Sequence, residues 1–117
     1  MNIEDLKNLA EAFPGVTTDI KWEHDLCFNV GGKMFLVTNP DKFPHPVSFK
    51  LTPELYDYWV EQDGVIPAPY LARYKWVQID DIGRLSTQKW KELISISYEE
   101  VAKKLPKKVK NELGIAF

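Results

Sequence analysis

The sequence predicts an α+β domain in which an antiparallel sheet is covered by helices on one side. The middle of the chain alternates apolar and polar residues around a Gly-Gly pair, which is typical of a β-hairpin. Both ends of the chain show the apolar spacing of amphipathic helices instead. A helix, three or four strands, a helix, one or two further strands and closing helices make a two-layer arrangement.

The first predicted element is a helix from about Asn2 to Phe13. Asn2 is a favourable N-cap, and the two acidic residues after Ile3 suit the positive end of the helix dipole. The pair Pro14-Gly15 ends the helix. One apolar stripe faces the core: Ile3, Leu6, Leu9, Ala10 and Phe13.

The strand signals begin at Thr18 to Trp22, where Ile20 and Trp22 share a face. The clearest signal follows, since residues 26–30 and 33–37 flank Gly31-Gly32. Glycine readily adopts the positive φ angles of a two-residue hairpin turn. Such a turn places Phe28 opposite Phe35 and Leu26 opposite Val37, so that one face of the hairpin is apolar.

The central region continues with a proline-rich loop, Asn39 to Pro46, and a strand, Val47 to Lys50. Thr52-Pro53-Glu54 then starts a second helix, with a threonine cap and proline in the first turn. This helix is predicted to face the core with Leu55, Trp59 and Val60 and to end at Gly64. Residues 64–75 form a loop shaped by two prolines, before a strand at Trp76 to Ile79 and a turn at 80–83.

The C-terminal part is predicted to be helical. One helical phase runs from Ser86 to Leu105 through Trp90, Leu93, Ile94, Tyr98, Val101 and Leu105. The capping-box pattern Ser97-Tyr-Glu-Glu100 permits a kink within that run. Pro106 starts a last short helix that turns Val109 and Leu113 inward and stops at Gly114.

Composition indicates a single domain, 1–117, with a substantial core, because 44% of the residues are hydrophobic and 13% aromatic. The N-terminus Met-Asn-Ile-Glu-Asp lacks the basic and apolar regions of a signal peptide. No apolar run approaches the roughly 20 residues that cross a bilayer. The one cysteine, Cys27, forms no internal disulfide. We therefore expect a cytoplasmic protein.

The charge is unevenly distributed along the chain. Residues 1–72 contain 5 Lys/Arg and 11 Asp/Glu, whereas residues 73–117 contain 10 Lys/Arg and 6 Asp/Glu. The net charge of −2 argues against a general polyanion binder, but the asymmetry indicates a polarised surface.

Several motifs in order resemble the MmcQ/YjbR family of small bacterial proteins over nearly the whole chain. They are Phe13-Pro14-Gly15-Val16, the hairpin Phe28 to Phe35, Val47-Ser-Phe-Lys50 with Thr52-Pro53-Glu54-Leu55, the Pro-Ala-Pro-Tyr70 loop with Trp76, and Ser97-Tyr98 leading to Leu105-Pro106. The resemblance implies a fold similar to CyaY-like or secretion-chaperone-like domains. It also implies DNA binding, through a double-wing arrangement of the strands. Some relatives carry histidine where this chain has Lys75, so an acid/base role there does not apply.

Two groups of cations are candidate DNA contacts. Arg73 and Lys75 lie among Tyr70, Tyr74 and Trp76, so that the cations can meet phosphate while a ring stacks on a base. The alternative is that these aromatic residues belong to the core and the cations cap the sheet edge. The second group is a lysine cluster, Lys103, Lys104, Lys107, Lys108 and Lys110, which contacts phosphates or simply complements a helix end.

No residues with catalytic or metal-binding spacing stand out. His24 and His45 are isolated, which makes a metal site improbable. Cys27 falls in an alternating strand and is interpreted as a buried thiol, and Lys50 at a strand end is expected to pair with a carboxylate or an anion. We therefore expect no enzyme activity and no cofactor.

The leading hypothesis is a non-enzymatic protein that binds DNA weakly and without sequence preference. The predicted contacts are Arg73, Lys75, Lys103, Lys104, Lys107 and Lys108. One alternative is a protein-interaction module, which suits the chaperone-like fold and the acidic N-terminal half. A second alternative is a small-molecule site lined by Trp22, Trp59 or Trp76.

Overall fold

The computed structural model describes residues 1–117 as four α-helices and one six-stranded sheet. The helices are α1 (Ile3–Glu11), α2 (Pro53–Trp59), α3 (Thr87–Ala102) and α4 (Lys107–Leu113). The strands are β1 (Val16–Lys21), β2 (Asp25–Val30), β3 (Lys33–Thr38), β4 (Val47–Lys50), β5 (Val65–Pro67) and β6 (Trp76–Ile79). Short 3-10 helices occupy Ala72–Tyr74 and Ile82–Arg84. None of the helices combines the length and apolarity needed to cross a bilayer.

The sheet has the strand order β1-β2-β3-β4-β6-β5, and every neighbouring pair is antiparallel. Helix α3 packs across β2, β3 and β4, and α1 packs beside it. The core lies between these helices and the sheet, where each apolar side chain removed from water stabilises the fold. Its largest fully buried members are Trp90, Tyr98, Phe28, Phe35 and Phe49. The predicted α+β fold with a helix-covered antiparallel sheet is confirmed.

The hairpin between β2 and β3 turns at Gly31-Gly32, but the predicted pairing is wrong beyond the turn. Val30 pairs with Lys33 as a two-residue turn requires, whereas Phe28 pairs with Leu36 and Leu26 with Thr38. A β-bulge at Phe35 inserts one extra residue and shifts the register. The bulge lets Phe35 join Leu36 in the core, where its ring meets the Tyr98 ring edge-on with the centroids 5.4 Å apart.

Several elements differ from the sequence prediction. Strand β1 ends at Lys21, so Trp22 lies in the following turn with φ of 51° rather than in the strand. Helix α2 ends at Trp59 rather than Gly64, because the N–H groups of Glu61 and Gln62 turn back to carbonyls only three residues earlier. Residues 65–67, predicted as part of a proline-shaped loop, form strand β5 at the edge of the sheet, where proline is tolerated. Helix α3 runs without a break through the capping-box sequence at 97–100.

The two hairpin glycines give a matched test of the turn. Both have positive φ, but a Cβ on Gly31 would lie 2.7 Å from Leu105 Cδ1, whereas a Cβ on Gly32 would meet open space. We expect Gly31→Ala to lower the free energy of unfolding by more than Gly32→Ala, which carries only the backbone strain of about 1–3 kcal/mol. Thermal and urea unfolding of the two variants measure the difference. Equal losses would show that Leu105 does not constrain the turn.

Candidate functional site

Three lysines from different parts of the chain line one groove at an end of the sheet. Lys33 follows the hairpin turn, Lys50 ends β4, and Lys104 follows α3. The close approach of Gly31 to Leu105 holds the hairpin turn against the segment after α3. We call this concavity of about 390 Å³ the basic groove; it is lined by Lys33, Met34, Lys50, Leu71, Tyr74, Trp76, Glu100, Val101, Lys104, Leu105 and Pro106.

The side chain of Ser97 fixes the positions of the β3 and β4 backbones where this groove begins. The β3–β4 pairing stops at Leu36 and Phe49, one step before Phe35 would face Lys50. The fully buried Ser97 hydroxyl occupies that step: it donates to the Phe35 carbonyl (2.5 Å) and accepts from the Lys50 backbone N–H (2.9 Å). Helix α3 thereby replaces one bond of the sheet ladder and fixes where Lys50 leaves β4.

The Lys50 ammonium group is half-buried in the groove. Its Nζ donates to the Tyr74 carbonyl at 2.5 Å, and it has no carboxylate partner among the ion pairs of the structure. Burial lowers the pKa of Lys50 below its usual value, and the neighbouring Lys104 lowers it further, while Glu100 acts in the opposite direction. The predicted carboxylate partner is therefore absent, and the surroundings of Lys50 favour an added negative charge.

The predicted cations separate into two sets in space. Lys104 lines the basic groove, and the Arg73 guanidinium lies 4.7 Å from the ring centroid of Tyr74, which also lines it. The Lys103 ammonium contacts a carboxylate oxygen of Glu100 at 2.6 Å. The other three are Lys75, Lys107 and Lys108, which, like Arg73 and Lys103, do not line the groove.

Lys75 and the two α4 lysines face other surroundings. The Lys75 ammonium lies 4.9 Å from the ring centroid of Tyr56, on α2, and its backbone adopts the left-handed conformation with φ of 68°. Lys107 and Lys108 are exposed in the first turn of α4. These positions leave the predicted contact set divided between the groove and the surface around it.

The aromatic residues near the loop cations have unequal exposure. Trp76 is 5% exposed and belongs to the buried interior, as the core alternative for the loop predicted. Tyr70 is 99% exposed, which is contrary to that alternative, and Tyr74 is about half exposed. Of these three residues, Tyr70 and Tyr74 are the ones whose rings reach solvent, and Arg73 already contacts the Tyr74 ring.

Lys33 and Lys50 complete the groove but were not among the predicted contacts. Each is a single lysine in an apolar strand, and neither belongs to a charge cluster in the sequence. The signal in the sequence was their position at a strand end. Lys33 follows the hairpin turn, and Lys50 lies just before the N-cap of α2. No local pattern predicts that these lysines meet, because 71 positions separate Lys33 from Lys104 in the sequence.

A second concavity lies on the same open face of the sheet. It has a volume of about 620 Å³, and we call it the aromatic cleft. Trp22 lines this cleft and Trp76 lines the basic groove, whereas Trp59 lines neither and packs half-buried against the core. The cleft residues are Trp22, Asp25, Met34, Val37, Thr38, Asn39, Pro46, Ser48, Ala68, Pro69, Tyr70, Leu71 and Gln78.

Comparison with known proteins gives a family match and structural relatives, two of which are described here. The family model described as YjbR matches residues 11–100, which include Lys33 and Lys50 but not Lys103 or Lys104. A Deinococcus radiodurans protein with a DUF419 domain superimposes with a TM-score of 0.88 at 24% identity, covering 98% of this chain and 89% of that chain. A Pseudomonas syringae protein gives a TM-score of 0.70 at 21% identity, covering 86% and 98%. No curated protein matches the sequence.

Ser97→Ala tests the hydroxyl that replaces a ladder bond. The substitution leaves the Phe35 carbonyl and the Lys50 N–H buried without a partner, and we expect it to lower the free energy of unfolding by about 1–3 kcal/mol. Ser95→Ala, two residues away in α3, is the matched control, because it makes the same chemical change at a half-buried hydroxyl. Urea unfolding compares the two, and equal stabilities would contradict the structural role of Ser97.

Cys27 should be unreactive in the folded protein and should make the fold sensitive to alkaline pH. The thiol is fully buried, and burial raises its pKa from 9.0 to about 11. The unfolded thiol ionises first, so the free energy of unfolding falls as pH rises across that interval. We expect Cys27→Ala to weaken this slope, and an aromatic disulfide reagent to label the native thiol only as fast as the chain unfolds. Rapid labelling under native conditions would contradict burial.

Proposed function

Since this chain belongs to the YjbR family, we propose that it is a non-enzymatic cytoplasmic protein that binds DNA weakly and with little sequence preference through the basic groove. The observation that carries the proposal is the convergence of Lys33, Lys50 and Lys104 on one groove. None of the three takes part in an ion pair. The resemblance to proteins regarded as DNA-binding agrees with this chemistry.

The balance of charge in the groove favours a phosphate. Glu100 is its one acidic residue, and the ammonium of Lys103 already contacts that carboxylate. Burial is the main cause of the lowered pKa of Lys50, and the nearby lysines lower it further; a phosphate oxygen would offset their repulsion. Binding should therefore weaken at alkaline pH, when Lys50 loses its proton earlier than an ordinary lysine.

The exposed rings beside the groove add a second kind of contact. Tyr74 lines the groove under the guanidinium of Arg73, and Tyr70 lies a few residues away in the same loop. Any of the bases can stack on a tyrosine ring, so such stacking suits binding with little sequence preference. Trp76 is too deeply buried for this role and instead supports the groove from beneath.

The small number of free cations limits the affinity. With about three phosphate contacts, duplex binding should weaken roughly 40-fold between about 50 mM and 200 mM salt. The acidic N-terminal half opposes a duplex wherever the two approach. We expect an affinity no better than the roughly 10⁻⁴–10⁻⁶ M of non-specific binding at physiological salt.

Two charge-matched variants test the groove. One replaces Lys33, Lys50 and Lys104 with glutamine, and the control replaces Lys107, Lys108 and Lys110, so each loses three positive charges. We expect the groove variant to lose most of its binding to a fluorescein-labelled duplex at low salt, and the control to lose much less. Fluorescence anisotropy at two salt concentrations measures both, after circular dichroism has verified folding.

Each contrary result has a defined meaning. Loss confined to the control variant would move the contact to α4, where the sequence predicted Lys107 and Lys108. Binding that ignores salt and both sets of substitutions would exclude phosphate contact by these lysines. No binding of duplex or single strand at low salt would favour the protein-interaction alternative, for which the unpaired edge of β1 offers a place where an extended segment can add to the sheet.

A further inference from the structure

The aromatic cleft has the size and form of a small-molecule site. Its volume of about 620 Å³ lies within the range of roughly 300–1,000 Å³ that is usual for such sites. The floor is formed by side chains that point away from the helices, including Val37, Ser48 and Gln78 from three adjacent strands. A mostly apolar floor with a few polar groups can bind an apolar body and orient it.

Two exposed aromatic side chains stand at the rims of this cleft. Trp22 is 70% exposed in the turn between β1 and β2, and Tyr70 is 99% exposed in the loop after β5. Both have positive φ, 51° and 66°, a conformation that bulky residues rarely adopt. The chain buries Trp76 and Trp90 in its interior but holds these two rings in solvent. Two loops from opposite ends of the sheet thus place aromatic residues at one cavity.

The charge of the cleft is negative. Asp25 is the one lining residue that carries a charge at neutral pH, and no lysine, arginine or histidine lines the cavity. Asp25 takes part in no ion pair. The carboxylate of Asp19 and the ammonium of Lys21 also lie near Cys27 together with Asp25, so the local balance stays negative. Lys21 lies opposite Asp25 in the β1–β2 ladder but does not line the cleft, so an anionic ligand would meet no counter-charge among the lining residues.

We propose that the aromatic cleft binds a small organic cation, an ammonium ion with an apolar body. The faces of indole and phenol rings attract cations through their quadrupole, and paired aromatic walls are a recurrent way to bind alkylated ammonium groups. Asp25 supplies the compensating charge, and Val37 and the neighbouring floor receive the apolar part. This site differs from the basic groove in the sign of its charge, although Met34 and Leu71 line both concavities.

Benzyltrimethylammonium is a suitable probe, with benzoate and benzyl alcohol as its anionic and neutral counterparts. Titration is followed by the indole N–H resonances in NMR spectra and by tryptophan fluorescence, to which the exposed Trp22 should respond most. We expect saturable binding of the cation in the millimolar range or tighter, and binding of benzoate at least about tenfold weaker. Salt should weaken the binding only modestly, since a single carboxylate is involved.

Three variants locate the site. Trp22→Ala, Tyr70→Ala and Asp25→Asn should each weaken binding of the cation roughly three- to thirtyfold. Tyr58→Ala is the matched control, because Tyr58 is also an exposed aromatic residue but lies on α2 outside the cleft, and it should bind as the parent does. The variant that loses Lys33, Lys50 and Lys104 should also bind the cation normally, which separates this proposal from DNA binding.

Three results would overturn the proposal. The first is binding of benzoate or benzyl alcohol as tight as that of the cation, which would mean a site without charge selection. The second is a loss of affinity in Tyr58→Ala as large as in Trp22→Ala, which would mean non-specific stacking on exposed rings. The third is the lack of any saturable shift at millimolar benzyltrimethylammonium in a folded protein.

Discussion

The hydroxyl of Ser97 joins the helical layer to the sheet at the point on which the remaining architecture depends. It lies where β3 and β4 would otherwise exchange a backbone bond, and it satisfies one group from each strand. A buried polar group of this kind is costly unless it is paired, so the arrangement allows one relative position of α3 and the sheet. The bulge at Phe35 and the exit of Lys50 from β4 both lie at this contact.

The same constraint gives the open face of the sheet two ends of opposite charge. Because α3 is held against β3 and β4, its C-terminal end brings Lys104 beside Lys33 and Lys50. The far end is formed by the turn between β1 and β2, where Trp22 and Asp25 border the aromatic cleft. The net charge of −2 for the whole chain therefore does not indicate the sign of the charge at either end. The charged groups of the two ends are separated along the strands, because Asp25 starts β2 and Lys33 follows the turn at the other end of that strand.

Several elements were predictable from the sequence because their signals are local. The strand Trp76–Ile79, the last helix with its stop at Gly114 and the Gly31-Gly32 turn occur where they were predicted. Glycine at positive φ, proline beside a helix start and apolar periodicity depend on a few neighbouring residues. Membership of the YjbR family was also readable from the order of motifs, which the family match over residues 11–100 confirms.

The bulge, the uninterrupted α3 and the assembly of both concavities required the folded chain. In the sequence, Ser97 reads as a helix cap; its hydroxyl is engaged instead by strands 47 and 62 positions away, which no local pattern encodes. Likewise, the lysine cluster is conspicuous as a run of residues, yet Lys104 is the one member that lines the groove, beside two lysines that stand alone in the sequence. Local propensities therefore specify where elements begin and turn. Long-range packing selects the register and the side chains that meet, because those depend on satisfying buried groups across the whole core.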